Sequence, residues 1–381
     1  MDSSTTISNI TEEDDEGFYT LSTYELIIWS ILYSTIAILA VFGNLLVIFV
    51  TVGRLRTHSV TTYFIINLAL ADLLTGVFAI PFKFQAALFQ VWHLPHILCK
   101  IVPYAESVTL SVSVFTLTAS AVHEFRTVFA PRHGRLSTNS ARLLVLLIWV
   151  LAAVLSLPMG LFHEVDTTMT PDGPIARCLP IYPEEQWWKV YNIYIIVVTY
   201  FIPMFILDTA YILIAIKIWT TTNTISEELQ AVTDRSTADG NRKLMKMLII
   251  VVAVFSLCWF PLETYLLLNE VKPEINGWFY IPVLFFCSHW LAMSNSCLNP
   301  IIYGLYNDKY NREYKRVFSK LRNWRWHTKG GTRSSSQNFT TEYPAITLID
   351  KETSATNLNP PYVETFQVAA GIPTGKPTAL W

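Results

Sequence analysis

The sequence has few charged residues: Asp, Glu, Lys and Arg together make up 15% of its 381 residues, whereas soluble domains carry about 25%. Hydrophobic residues make up 52% and lie in long runs rather than in amphipathic stripes. A shortage of charge combined with long apolar runs excludes an ordinary cytosolic globular protein, a disordered chain and a fibrous repeat.

The sequence also has no excess of basic residues and few cysteines. The formal net charge of -2 argues against a nucleic-acid-binding protein. Five cysteines are too few and too scattered for a disulfide-rich scaffold. The sequence shows no enzyme signature, and its histidines are too dispersed for the ligand clusters of a metal hydrolase. It also shows no internal repeats or paired broken helices, which are typical of transporters.

Seven apolar runs are long enough to cross a bilayer, which takes roughly 20 residues per helix. They cover about residues 26–52, 62–88, 97–125, 143–162, 190–218, 244–268 and 279–305. These runs predict an all-α membrane protein. We expect an extracellular tail over residues 1–25, a seven-transmembrane helix bundle over 26–305, a short amphipathic helix over 306–325 and a disordered cytoplasmic tail over 326–381.

Basic residues are concentrated at alternate ends of the runs, and none precedes Arg54. The positive-inside rule therefore places the N-terminus outside and the C-terminus inside a plasma-membrane protein. Asn9 begins an Asn-Ile-Thr sequon on the outer side, so we expect it to be glycosylated. The acidic outer segments either attract a cationic ligand or are simply solvated.

Residues after the seventh run predict a helix on the inner membrane surface, because apolar residues recur at helical spacing with basic residues between them. These apolar residues are Tyr310, Tyr314, Val317, Phe318 and Leu321. We expect their side chains to contact membrane lipid. Serines and threonines in the following tail are candidate phosphorylation sites that recruit arrestin.

Polar residues inside the runs are candidates for function because charge in hydrocarbon is costly. Asp72 lies in the second run, Ser113 in the third, and Asn295 and Asn299 in the seventh. They either converge on a small hydrated cavity that holds a cation or form a cluster that fixes helix packing.

Two cysteines are expected to face the oxidising side. Cys99 opens the third run, and Cys178 lies in the long outer connection. We expect a disulfide between them that holds this connection over the bundle.

Each run carries a short motif, and the ordered set resembles the class A (rhodopsin-like) G-protein-coupled receptors over about residues 26–321. The set consists of Gly43-Asn44-Leu45-Leu46-Val47, Asn67-Leu68-Ala69-Leu70-Ala71-Asp72, the Cys99/Cys178 pair, Trp149, Pro203 with Tyr211, Cys258-Trp259-Phe260-Pro261 and Asn299-Pro300-Ile301-Ile302-Tyr303. Two further stretches, beginning at Cys99 and His289, are similar to receptors for RFamide and RYamide peptides, neuropeptide Y, prolactin-releasing peptide and short neuropeptide F.

The resemblance implies roles for individual residues. It implies that the following residues act as activation switches: Trp259, Pro203, Val114, Phe255, Tyr211, Asn299, Pro300 and Tyr303. It implies a structural sodium ion, and no other cofactor, held by Asp72, Ser113, Asn295 and Asn299. It also implies a heterotrimeric G protein as the intracellular partner.

Three acidic residues lie in the outer halves of the runs: Glu106, Glu263 and Glu270. An isolated carboxylate there is costly, so each needs a partner, which is Lys83, His289 or a ligand cation. We expect a cationic amidated peptide whose arginine pairs with Glu270 and with Glu106 or Glu263. The alternative is internal pairing of Glu106 or Glu263 with Lys83.

The predicted ligand-binding set is completed by His289 and two aromatic residues, Trp92 and Tyr265. Aromatic side chains at these positions would line or rim the cavity between the helices. In membrane spans, however, most aromatic side chains face lipid or core.

The inner end of the third run departs from the family pattern. Receptors of the family carry Asp-Arg-Tyr where this sequence reads His123-Glu124-Phe125. Arg126 does not replace the missing arginine because it lies roughly 200° around the helix from Glu124. We hypothesise that Glu124 pairs with Arg242 or Lys243 in the inactive state. We expect the G-protein interface to consist of Glu124, Arg126, Arg242 and Lys243. The alternative is a non-signalling or arrestin-biased peptide-binding receptor.

Overall fold

The computed structural model describes residues 22–55, 59–89, 91–130, 136–170, 173–182, 184–224, 235–278 and 280–329. Within these ranges it describes only the backbone of residues 86–88, 168–170, 221–224, 235–242 and 323–329. The described residues up to Thr328 belong to one structural unit. The sequon at Asn9 and the tail beyond Lys329 lie outside the described residues.

Ten α-helices are formed by the described residues: α1 Thr23–Val50, α2 Val60–Leu74, α3 Ile80–Phe89, α4 His96–Phe129, α5 Thr138–Leu161, α6 Glu185–Ile196, α7 Ile202–Thr224, α8 Arg235–Val271, α9 Ile281–Tyr306 and α10 Asp308–Lys329. Together with π-helical turns they make seven segments long and apolar enough to span a membrane. The predicted seven-helix architecture is therefore confirmed.

The second and fifth spans are each built from two helices joined by a π-helical turn. The turn Thr75–Ala79 joins α2 to α3, and Val197–Phe201 joins α6 to α7. Each turn ends two residues before a proline, Pro81 or Pro203. Because the proline ring removes a backbone N–H donor, the regular helical bonding is interrupted there.

A β-hairpin in the long outer connection was not anticipated by the all-α prediction. Strand β1, His163–Thr170, pairs antiparallel with β2, Gly173–Pro180, in a register that sets His163 opposite Pro180. The backbone N–H of Trp92 donates to the carbonyl of Ala176 at 2.7 Å. The hairpin is thereby tied to the connection between the second and third spans.

The packed interior and the apolar outer surface are both typical of a membrane bundle. Large side chains such as Tyr33, Tyr200, Phe255 and Tyr303 are almost fully buried. Large apolar side chains on the outer faces are exposed instead, and on α5 these are Leu143, Leu146, Leu147, Val150, Leu151, Val154 and Leu157. Such a surface is suited to lipid rather than to water.

Helix α10 confirms the amphipathic helix predicted after the seventh span. Tyr310 is buried, and its hydroxyl lies 2.7 Å from the Thr51 hydroxyl at the end of the first span. On the same helix Phe318 and Leu321 are exposed. The helix runs to Lys329, a few residues beyond the predicted end at 325.

Candidate functional site

A cavity of about 370 Å³ lies among the outer halves of the helices. Its walls come from α3, α4, α5, α6, α8 and α9, from the π-helical turn Val197–Phe201 and from both strands of the hairpin. The residues that carry its chemistry are Glu106, Glu263, Glu270, Lys83, His289, His163, Asn192 and Trp259. The three acids and His289, predicted from the sequence as ligand-binding residues, therefore line one cavity; their part in ligand binding stays a prediction.

Glu106 is neutralised from within the protein. Its Oε2 lies 2.8 Å from Lys83 Nζ, and its Oε1 lies 3.8 Å from His289 Nε2. On the other side of the imidazole, Tyr33 Oη lies 2.8 Å from His289 Nδ1. Of the two alternatives left open by the sequence, internal pairing with Lys83 describes Glu106. Tyr33, which positions the histidine, was not predicted.

Glu270 lies higher in the cavity and is only partly buried. Its Oε1 accepts a hydrogen bond of 2.8 Å from Asn192 Nδ2 on α6. This bond joins the fifth and sixth spans, and it gives the carboxylate a neutral donor rather than a counter-charge. Asn192 was not predicted to contribute to the site.

Glu263 differs from the other two acids. It is 4% exposed and lines the cavity, yet among the described residues nothing forms a hydrogen bond or an ion pair with its carboxylate. It also lies near enough to Glu106 for the two carboxylates to repel each other. A buried carboxylate without a counter-charge is a costly arrangement that a bound cation would relieve.

His163, the first residue of β1, adds no second cation near neutral pH. Burial, reinforced by repulsion from Lys83, lowers its pKa to about 4. Its Nδ1 lies 2.7 Å from the carbonyl oxygen of Met159. With Lys83 committed to Glu106, neither Lys83 nor His163 supplies a cationic partner to Glu263 or Glu270.

The two aromatic residues expected in the ligand-binding set lie beside the cavity rather than in its wall. Trp92 is buried beneath the hairpin. The Tyr265 hydroxyl donates to Asn276 Oδ1 at 3.2 Å, and its ring lies 5.8 Å from that of Phe285. Trp188, Trp259 and Phe285 form the aromatic part of the wall instead.

Trp259 borders both this cavity and a smaller polar cavity of about 10 Å³ beneath it. Asp72, Ser113 and Asn295 line the small cavity. Asn299 Nδ2 donates to Asp72 Oδ2 at 2.7 Å, whereas the Oδ1 atoms of Asn295 and Asn299 are buried without a described partner. The four predicted residues thus form one oxygen-rich cluster, and its unmatched carbonyl oxygens fit a small hard cation.

The predicted activation switches lie in the interior below Trp259. The Phe255 ring is stacked near that of Trp259, at 6.0 Å between centroids. Phe255 shares a single apolar cluster with Val114, Tyr211 and Tyr303. Pro203, Asn299 and Pro300 are also buried. Their placement is that of packed core residues; their part in activation stays a prediction.

At the inner end, Glu124 is buried and accepts a hydrogen bond of 3.0 Å from Thr61 Oγ1. Lys243 Nζ lies 2.6 Å from Asp308 Oδ2, the first residue of α10. Arg126 is exposed, and the side chain of Arg242 lies outside the described part of the chain. The hypothesis that Glu124 pairs with Arg242 or Lys243 therefore stays a prediction.

The described residues form seven spans around an outer cavity that the hairpin helps to enclose, an arrangement typical of a membrane receptor. Comparison of the sequence with known protein families agrees. Residues 43–303 match the family described as 7 transmembrane receptor (rhodopsin family), and the chain belongs to that family. It is a receptor and not an enzyme, as expected from the sequence.

Within this family, the chain is similar to receptors that are named for individual peptides. The chain is 30% identical over 315 residues to the substance-P receptor of Rattus norvegicus, which covers 82% of this chain and 75% of that receptor. It is 30% identical over 354 residues to the neuromedin-K receptor of Oryctolagus cuniculus, covering 88% and 72%. These names differ from the RFamide and RYamide receptors suggested by the motifs, so that finer assignment is not confirmed.

Proposed function

We propose that this chain is a plasma-membrane receptor for an extracellular neuropeptide, with its N-terminus outside and its C-terminus in the cytoplasm. The observation that carries the proposal is Glu263, a buried carboxylate in the cavity wall with no partner among the described residues. Membership of the receptor family supports the fold side of the proposal. Relatives named for substance P and neuromedin K favour a peptide as the ligand.

The ligand carries a cationic group that reaches Glu263. Lys83 satisfies Glu106, and Asn192 supplies a neutral donor to Glu270. An entering guanidinium or ammonium group would supply the partner that Glu263 lacks among the described residues, and a guanidinium would do so with two parallel hydrogen bonds. The proposal also includes that the peptide is amidated and that it ends in Arg-Phe or Arg-Tyr.

Binding is transmitted to the inner face by a shift between two conformations of the bundle. A ligand that contacts Trp259 more strongly in one conformation favours that conformation by its difference in affinity. A heterotrimeric G protein is the proposed partner at the inner face. Arrestin recruitment through the phosphorylated tail is the second proposed output.

A second candidate function rests on Glu124. The acid stands where the family pattern has an arginine, and it is buried against Thr61. On this reading the receptor binds peptide and recruits arrestin, or clears peptide, without activating a G protein.

A sodium ion is proposed for the small polar cavity. Asp72, Ser113, Asn295 and Asn299 would hold it through their oxygen atoms, and the unmatched Oδ1 atoms of the two asparagines support this assignment. The ion would stabilise the packing beneath Trp259.

The test uses cells that express this chain, challenged with substance P, neuromedin K and amidated peptides ending in Arg-Phe or Arg-Tyr. Peptide binding, G-protein dissociation and arrestin recruitment are measured in parallel. We expect Glu263→Gln to weaken binding by roughly 10- to 100-fold, because a charge-assisted hydrogen bond contributes about 1.5–3 kcal/mol.

The matched control is Glu185→Gln, which removes the same charge from an exposed position at the start of α6. It should leave binding unchanged. Equal affinities for all three proteins would remove Glu263 from the site, and no binding of any peptide would contradict the proposed ligand class. Binding with arrestin recruitment alone would favour the second candidate function.

A further inference from the structure

We propose that the groove between α4 and α5 at the α10 end of the bundle binds a phospholipid with an acidic headgroup. The groove has a volume of about 390 Å³. The groove has two chemically different parts. Its apolar wall suits an acyl chain, and its basic end suits a phosphate. It is separate from the ligand cavity, which lies among the outer halves of the helices.

The apolar wall follows one face of α4. Phe115, Ala119 and Val122 recur at helical spacing along it, and Leu144 and Ile148 complete the wall from α5. Val122 is 44% exposed, so the groove opens sideways. The adjoining surface of α5 carries exposed leucines and valines that face lipid. A groove that opens onto this surface is in contact with the bilayer, which makes an acyl chain its natural occupant.

The basic end lies in the last two turns of α4, where His123, Arg126 and Thr127 line the groove. Arg126 is exposed at the level where the span leaves the membrane. A guanidinium pairs well with a phosphate because its donors match two of the phosphate oxygens. The first turn of α5 begins beside the same end at Thr138, after Leu136 of the groove wall. The positive end of its helix dipole adds to the attraction for an anion.

No acidic residue lines the groove among the residues that the structure describes. The sequence explains why, since His123 occupies the place where the motif of the resembled family has an aspartate. The neighbouring Glu124 is rotated about 100° around the helix and is held by Thr61 of α2. With this departure from the family motif, the described lining of the groove has basic side chains and no carboxylate that would repel a phosphate.

An acidic lipid is the expected occupant because the cytoplasmic leaflet is enriched in such lipids. This step rests on the proposed orientation, which places the α10 end of the bundle in the cytoplasm. It does not rest on the identity of the peptide ligand. A negative result in the peptide-binding experiment therefore leaves this proposal standing.

The experiment uses the purified full-length receptor in nanodiscs of equimolar phosphatidylcholine and phosphatidylserine, analysed by native mass spectrometry. We expect the receptor to retain phosphatidylserine in preference to phosphatidylcholine. Arg126→Gln should reduce that preference by roughly tenfold, the effect of losing a charged hydrogen-bond donor. Val122→Trp should reduce retention of both lipids because the indole fills the groove while Arg126 keeps its charge.

The matched control is Arg54→Gln, which removes an exposed basic residue from the inner end of the first span. It should not change lipid retention. Both test positions are exposed, so the variants are expected to fold, and thermal unfolding of each confirms it. Unchanged phosphatidylserine retention in Arg126→Gln and Val122→Trp would overturn the proposal. So would occupation of the groove by a sterol or by a second copy of this chain, seen as a bound sterol or a dimer that Val122→Trp abolishes.

Discussion

Lys83 Nζ lies 2.8 Å from Glu106 Oε2, so that the second and third spans share an ion pair in the wall of the outer cavity. This pair makes the three acids of the cavity unequal. Glu106 already has a counter-charge, Glu270 has a neutral amide donor, and Glu263 has neither among the described residues. A cationic ligand should therefore depend most on Glu263.

The first prediction orders the effects of removing each carboxylate. Glu263→Gln should weaken the binding of a cationic peptide more than Glu106→Gln does, because Glu106 already pairs with Lys83 whereas Glu263 has no partner among the described residues. Lys83→Gln should strengthen binding, since it releases Glu106 to the ligand. Affinities of the three variants for one fluorescent peptide, measured on the same membranes, check this order. A larger loss for Glu106→Gln than for Glu263→Gln would contradict the assignment.

The sequence predicted the spans well because a helix in a bilayer must be apolar for about 20 residues. The hairpin was missed because both of its strands lie in a connection between two apolar runs, outside the pattern that predicted the spans. A signal for it was present in Pro171-Asp172-Gly173, a run of turn-forming residues between segments that contain β-branched residues. Gly173 has φ of 122°, a conformation that glycine adopts without strain.

The candidate site was only partly predictable. Glu106, Glu263 and Lys83 stand out in the sequence because charges are rare in apolar runs. Which of these residues pair with each other cannot be read from the sequence, because the pairing depends on how each helix is rotated about its axis. Tyr33 and Asn192 were missed for the same reason: neither is unusual in the sequence, and each gains its role from a residue on another helix, His289 or Glu270.

The second prediction concerns the disulfide between Cys99 and Cys178, which is present as the sequence predicted. Cys178→Ser should destabilise the receptor by about 2–5 kcal/mol. It should also weaken peptide binding, because β1 and β2 supply His163 and Pro180 to the cavity wall. Thermal unfolding and cell-surface binding measure the two effects. The control is Cys287→Ser, which alters an exposed free cysteine; similar losses in both variants would contradict the specific role of the bridge.

The third prediction is a pH dependence of stability. His163 has a folded-state pKa of about 4, below its ordinary value of 6.5, because burial disfavours the charged imidazole. The unfolded chain therefore binds a proton before the folded receptor does, and stability should fall as the pH decreases from 6.5 to 4. His163→Asn, whose amide can still reach the Met159 carbonyl, should flatten this part of the profile. His93→Asn, at an exposed position, should not; thermal unfolding across this range distinguishes them.

The fourth prediction tests the proposed sodium ion. A ligand that binds only the folded protein raises stability with its concentration, so sodium chloride should raise the unfolding temperature more than choline chloride does. Asp72→Asn should abolish the difference because it removes the carboxylate beside Asn299, whereas Glu106, the other acid of the lining, already pairs with Lys83. Asp208→Asn is the matched control: this acid lies in the fifth span and accepts a hydrogen bond from Ser256 at 3.1 Å. A sodium effect that survives Asp72→Asn would exclude this site.

The fifth prediction concerns Glu124 at the inner face. If Glu124 pairs with Arg242 in the inactive state, Glu124→Arg should raise basal signalling, because the reversed charge repels the inner end of α8. Adding Arg242→Glu restores an ion pair of opposite polarity and should return basal signalling towards that of the unmodified receptor. Asp308→Asn is a useful comparison, since it removes the neighbouring contact between α8 and α10, in which Lys243 lowers the pKa of the Asp308 carboxyl. Basal G-protein dissociation and arrestin recruitment are measured for each variant. If the double variant signals as strongly as Glu124→Arg alone, the two residues do not restrain each other, and Glu124 acts through Thr61 instead.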